Sequence, residues 1–379
     1  MPIATKIAFV ACVMALPVVP GLADDVAPRQ GQIHFEPVPD EAHAVPEPFR
    51  LAAQTFSFEQ TALPKWSDDV AISTVTFPSP VVTPEPNNNT VHCEYFRPAK
   101  AGKYPACVVL HIMGGDFPLA RLFANNLAQH GVAALFVHMP YYGERRQPNS
   151  KARMISTDPQ ETVRGMIQAV KDIRFAAAWL AAQDEVDPQQ LGIFGISLGG
   201  ITASLAAAAE PRFVKVCPVL AGGDLSLVLR DSQEKHLAAA KQHWLAHGHS
   251  LDELTELMKT VDPCSYAAYL SGRKVLMFNA LHDEVIPRPC TDSLWEAFGR
   301  PNIEWYDCGH YTAILHVLDA LDKTATFFSQ GEKSAAENHS SAGKHAQSPV
   351  RNKTFLMQGS QKLSDCPRRS AMEFAHSAV

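Results

Sequence analysis

The stretch Leu191-Gly192-Ile193-Phe194-Gly195-Ile196-Ser197-Leu198-Gly199-Gly200 decides the fold. Its first part is short and apolar, as a strand buried on both faces must be. Its last part opens an alanine-rich run, Ser197 to Ala209, that reads as a helix. Between the two sits a G-x-S-x-G arrangement, Gly195 to Gly199, with Gly200 following. A strand that turns directly into a helix brings neighbouring backbone too close for side chains, so glycine flanks the turn. The residue at its tip, Ser197, is held out beyond the strand's C-terminal end, its Oγ near a helix N-terminus. The bare motif is weak, and its place between strand and helix makes it specific.

Outward from that turn, apolar runs alternate with amphipathic ones. Ala106 to Leu110, Val132 to Val137, Val214 to Leu220, Lys274 to Asn279 and Asn302 to Tyr306 read as strands. Leu119 to His130, Glu161 to Ala182 and Thr312 to Phe328 read as helices. This alternation predicts an α/β fold, a mostly parallel sheet with helices on both faces. Val70 to Phe77 and Thr90 to Phe96 read as a hairpin in front of the series, giving eight strands. Residues 223–272 are helical and charged and fall between two core strands, where an insertion caps a cleft. Residues 24–67 are rich in Pro and Glu and are expected to form an extended lead-in. Residues 329–379 are polar and aperiodic and read as a disordered tail.

Of 379 residues, 46% are apolar and 19% charged, which belongs to a globular chain. The net charge of −6 and the lack of a basic block exclude a nucleic-acid partner from the expectations. Lys6, the apolar run Ile7 to Val19 and the small residues of Gly21-Leu22-Ala23 have the form of a signal peptide cleaved before Asp24. That run is shorter than the roughly 20 residues a membrane span needs, so export to the periplasm or medium is expected, without a stable span. Eight cysteines less Cys12 in the leader leave an odd number, hence a free thiol or an intermolecular bridge. Their spacing matches no zinc pattern. His243 and His247 lie four apart on a cap helix but lack a third ligand, so no metal is expected.

A nucleophilic serine needs a base, and the base needs an orienting acid. Leu276 to Asn279 is a strand whose following loop carries Asp283 and Glu284. The next strand ends in Trp305-Tyr306-Asp307-Cys308-Gly309-His310. Both loops leave the same sheet edge as Ser197, which makes Asp283 the acid and His310 the base. Glu284 and Asp307 are the rival acids; His282 and His316 are poorer bases. The N–H of Leu198, next to the nucleophile, is one expected oxyanion donor. The loop His111-Ile112-Met113-Gly114-Gly115-Asp116 offers the other through the amide of Met113. Arg145 and Arg146, after the fourth strand, read first as solvated or salt-bridged arginines, with contact to an anionic substrate group as the other candidate role. Trp244 and Leu245 are expected to shape substrate choice from the cap.

At these residues the chain resembles the α/β-hydrolase superfamily over roughly residues 68–328. It is most similar to secreted bacterial esterases related to dienelactone hydrolases, acetyl-xylan esterases and prolyl-oligopeptidase catalytic domains. The resemblance rests on His111 to Gly115, Gly195 to Gly200, Asp262-Pro263 to Tyr266, Asp283 with Pro287, and Gly309-His310. It implies hydrolysis of a small-molecule or carbohydrate ester without metal or organic cofactor. Dienelactone hydrolases carry a cysteine where this chain has Ser197, and acetyl-xylan esterases usually carry glutamine where it has Leu198. Peptidase or amidase action and a non-catalytic binding module are the other readings left open.

Overall fold

A ten-stranded sheet organises the described residues of the computed structural model, 28–330 apart from 116, 232 and 233. The strands are β1 (Arg29–Phe35), β2 (Gln54–Leu63), β3 (Val70–Pro78), β4 (Thr90–Pro98) and β5 (Tyr104–Leu110). They continue as β6 (Ala133–Val137), β7 (Val186–Ile196), β8 (Phe213–Val219), β9 (Lys274–Ala280) and β10 (Asn302–Tyr306). Their order across the sheet is β1-β2-β3-β4-β6-β5-β7-β8-β9-β10. Pairing is antiparallel from β1 to β4 and between β4 and β6, and parallel from there to β10.

The expected eight strands are β3 to β10. The two additional ones come from the stretch expected to be an extended lead-in, and that expectation is corrected. Ile33 and Phe35 on β1, and Phe56 and Phe58 on β2, alternate with exposed residues and present one apolar face. The Phe56 ring stacks on Phe175 at 4.4 Å, and Phe35 and Phe49 are fully buried. Between the strands, helix α1 (Glu41–Ala44) brings Glu41 to Arg174, whose Nη1 also donates to the Phe49 carbonyl at 2.8 Å. The buried aromatic area outweighs the proline content that suggested a loose segment.

Helices α2 (Phe117–Gln129), α3 (Pro159–Ala181) and α4 (Leu198–Ala209) flank the parallel half. Successive residues of its strands enter different cores: Val108 and Ile193 face one, Val109 and Phe194 the other. A strand buried on both faces cannot alternate apolar with polar, which is why these strands read as continuous runs. Between β8 and β9 lie α5 (Leu225–Asp231), α6 (Lys235–Ala246), α7 (Leu251–Lys259) and α8 (Ala267–Leu270), the insertion expected there. Helix α9 (Arg288–Ala297) follows β9. The closing helix begins as a tighter turn, Thr312–His316, before α10 (Val317–Ser329).

The signal-peptide reading and all but the first two residues of the expected tail lie outside the described residues. Among those described, Cys93, Cys107, Cys217, Cys264, Cys290 and Cys308 are free thiols, while Cys12 and Cys366 lie outside. No described helix is long and apolar enough to cross a membrane.

Candidate active site

The turn from β7 into α4 is as tight as its glycines suggest. A Cβ on Gly195 would lie 2.1 Å from the Gly199 carbonyl oxygen, and one on Gly199 would lie 2.6 Å from that of His111. Ser197 at the tip takes φ 55° and ψ −117°, a left-handed conformation strained for any residue with a side chain. Two backbone bonds hold it there: its N–H donates to Val219 at 2.8 Å, and its carbonyl accepts from Ile201 at 3.0 Å.

Strands β9 and β10 are parallel neighbours, so the loops after them leave the same edge side by side. The structure brings Ser197, His310 and Asp283 together there. His310 Nε2 lies 2.9 Å from Ser197 Oγ, and its Nδ1 lies 2.8 Å from Asp283 Oδ2. The other oxygen of Asp283 accepts from the amides of Val285 at 2.8 Å and Ile286 at 2.7 Å, which fixes the carboxylate's direction. The imidazole and carboxylate side chains are only 8% and 4% exposed, so little water competes for the bond between them.

The rival acids have other partners. Asp307 bonds the exposed His282 at 2.8 Å, away from the imidazole of His310. Glu284 accepts the backbone N–H of His310 at 2.9 Å, anchoring its main chain rather than its ring. A Cβ on Gly309 would fall 2.6 Å from the same Glu284 oxygen, so a larger residue there would push that carboxylate off the His310 amide. This supporting role of Glu284 was not foreseen; the Gly-His pair carried the only signal for it.

The amide of Leu198, first residue of α4, has no acceptor within its own helix. Leu198, Met113 and Ser197 line one cavity, so both residues expected to supply oxyanion donors open onto the same space as the nucleophile. His111 orders the loop that carries Met113. Its Nδ1 lies 2.7 Å from the Ile112 carbonyl, and its Nε2 accepts the Met139 amide at 3.1 Å. Burial holds the His111 imidazole neutral, lowering its pKa to about 3.

Behind this loop His138 lies beneath Phe117, their rings 4.3 Å apart, with Glu144 at 2.7 Å and Glu94 at 3.5 Å. Burial works against protonation of His138, but its bond to Glu144 and the nearby charge of Glu94 prevail and raise its pKa. The bond to His138 in turn lowers Glu144 to about 2.

Arg145 and Arg146 do not line the cavity. Arg145 is fully buried, donating to the carbonyls of His138 at 3.1 Å and Asn88 at 2.8 Å and pairing with Asp172 at 2.7 Å. Its expected substrate contact is corrected to a structural ion pair, because a guanidinium sealed from solvent cannot meet a ligand. Arg146 is exposed, outside the cavity wall. Trp244 and Leu245 are likewise displaced from their expected role. The Trp244 indole is buried and donates to the Ser250 carbonyl at 2.7 Å, and Leu245 is exposed. The His243 and His247 rings lie 4.1 Å apart, tilted by 44°, and no metal-holding cluster of three or more ligands occurs among the described residues.

The sequence pattern described as Alpha/beta hydrolase domain containing 18 matches residues 65–228, and that of the prolyl oligopeptidase family matches residues 167–327. The chain belongs to the α/β-hydrolase superfamily. An uncharacterized protein of Mycobacterium tuberculosis is 28% identical over 174 residues, 45% of this chain. That match spans only 40% of the relative's own length. Among solved structures, an acetyl xylan esterase from Paenibacillus sp. R4 superimposes with TM-score 0.56 at 20% identity, covering 71% of this chain and 88% of that one. An acetyl xylan esterase from a Thermoanaerobacterium species gives 0.52 at 20% identity, covering 69% and 87%. At that identity the likeness establishes the fold.

Proposed function

We propose that the chain is a serine hydrolase that cleaves a carboxylic ester of a small molecule or carbohydrate through an acyl-enzyme. The unbroken line of contacts from Ser197 Oγ through His310 to Asp283 carries this reading. Asp283 is acceptor-only when ionised, so it selects the tautomer with the proton on Nδ1 and leaves Nε2 free to take the serine proton. As Ser197 Oγ bonds to the ester carbon, its proton passes to His310 Nε2 and the carbonyl oxygen becomes an oxyanion. The amides of Leu198 and Met113 stabilise that charge. Collapse of the intermediate expels the alkoxide, which takes the proton from His310. Water then repeats the sequence on the acyl-enzyme and releases the acid and free Ser197.

A fluorophosphonate probe should label wild-type protein at Ser197 and leave Ser197→Ala unlabelled. p-Nitrophenyl esters should be turned over with the same dependence. Absence of both would leave a binding module in place of an enzyme.

The prolyl oligopeptidase match over residues 167–327 favours peptidase action as the second reading. Turnover of aminoacyl anilides at rates above those of matched esters would select it. We also propose export directed by residues 1–23, from the charged start, apolar run and Gly21-Leu22-Ala23. Secreted protein beginning at Met1 would refute cleavage there.

A further inference from the structure

We infer that the site accepts an uncharged, apolar acyl group of about four to six carbons, an inference that rests on the ester-hydrolase reading above. The cavity beside Ser197 is walled from the cap by Leu225, Leu229, Leu237 and Ala240, and from the body by Met166 and Ile201. Among the described residues that line it, none is charged. An acyl group bearing a carboxylate or ammonium would lose its hydration there without gaining a partner, which costs far more than apolar contact returns. The same argument disfavours a peptide whose free α-ammonium would have to enter.

Chemistry fixes which side of the ester the cavity serves. The leaving oxygen must receive a proton from His310, so the alcohol lies on the imidazole's side of the scissile carbon. His310 takes no part in the cavity wall, whereas Leu198 and Met113 do. The group buried in the cavity is therefore the acyl chain, and the alcohol faces outward past His310. Size sets the length. The cavity measures about 80 Å³. One water needs about 10–15 Å³ on that measure, so the space holds roughly five to eight water-sized groups. A chain of butanoyl to hexanoyl length fits within it, acetyl leaves most of it empty, and dodecanoyl overruns it.

The test is a pair of ester series on the full chain. In p-nitrophenyl esters from acetate to dodecanoate, kcat/KM should peak at butanoate or hexanoate and fall at least tenfold by dodecanoate. In butanoates of methyl, butyl and octyl alcohol it should vary less than about threefold. Each methylene lodged in an apolar pocket is worth about tenfold or more in discrimination. Ala240→Leu, which fills the cavity, should lower the hexanoate-to-acetate ratio of kcat/KM at least tenfold. Met166→Ala, which enlarges it, should raise the dodecanoate-to-butanoate ratio. A folding defect would depress all chain lengths together and leave these ratios unmoved. A flat acyl profile, a preference for a succinyl monoester, or dependence on alcohol length alone overturns the inference while fluorophosphonate labelling and turnover persist. Loss of labelling and of all ester turnover overturns the hydrolase reading itself.

Discussion

The ring of His111 is wedged between two backbone groups that together dictate its proton: the Ile112 carbonyl 2.7 Å from Nδ1 and the Met139 amide 3.1 Å from Nε2. A carbonyl only accepts and an amide only donates, so Nδ1 carries the hydrogen and Nε2 the lone pair. In a trans peptide the C=O and the following N–H point in opposite directions. By drawing the Ile112 carbonyl toward itself, His111 turns the Met113 amide the other way.

His111→Gln should therefore act on the chemical step. We expect kcat to fall about 10²-fold, the scale of losing one oxyanion donor, with KM changed much less. Steady-state kinetics on a butanoate ester reads the split. An equal rise in KM with kcat intact would assign His111 to substrate binding instead.

The same residue should make folding stability sensitive to acid. Its pKa is lowered to about 3 in the folded protein, whereas the unfolded chain takes up the proton near 6.5. Its contribution is present above about 6.5 and is lost as pH falls from there toward 3. His138 and Arg145, the charged groups facing it, push its pKa down further. His138 has the opposite sign: its raised pKa favours the fold below about 6.5, a contribution lost as pH rises through the folded value. Urea unfolding at several pH values should show a shallower acid loss in His111→Gln than in wild type. Parallel curves would show that His111 titrates as it does in the unfolded chain.

Asp283→Asn keeps the shape of the side chain but presents the wrong partner to His310 Nδ1. Turnover should drop at least about 10²-fold, less than the 10⁴ seen in serine proteases if the fold depends less on the acid. Glu284→Gln retains an oxygen for the His310 amide and should stay within about tenfold, as should Asp307→Asn on the surface. A crippled Asp307→Asn beside an active Asp283→Asn would misassign the acid.

Arg145→Ala should be a stability variant. It strands the Asp172 carboxylate, which keeps a bond from Ser79 Oγ at 2.6 Å but loses its cation. Breaking a buried pair in this way costs about 3–5 kcal/mol. Thermal melting should record that loss, and KM for neutral esters should hold in the fraction that remains folded. A large rise in KM without a change in Tm would restore Arg145 to the substrate.

Much of the site was legible because the superfamily's chemistry is tied to strand ends. Ser197, Asp283 and His310 each follow an apolar run, and the runs fix the edge at which they meet. Glu284 was harder, since its contact is with main chain and leaves no mark in side-chain chemistry. For Arg145 a salt bridge was the favoured reading and holds, while its candidate substrate role fell because the second layer beneath it, Asp172 on α3, shows in no local sequence pattern. The cap was located but its working face was not. Its apolar residues lie on several short helices, and only packing shows that Leu229 and Ala240 face Ser197's cavity while Leu245 faces water. The first two strands were missed although Phe56 and Phe58 alternate, because the surrounding prolines and glutamates dominated the reading.

Those strands change where the chain can be cut. A hydrolase trimmed to begin at residue 68 would look complete by homology yet would uncover β3 along the whole length now paired with β2. The new border would offer unmatched amide and carbonyl groups to any other β edge in solution, the usual route to aggregation. Arg174 would also lose Glu41 and the Phe49 carbonyl, leaving a buried cation short of partners. Truncations and fusions made for expression should therefore preserve the segment from residue 28 onward.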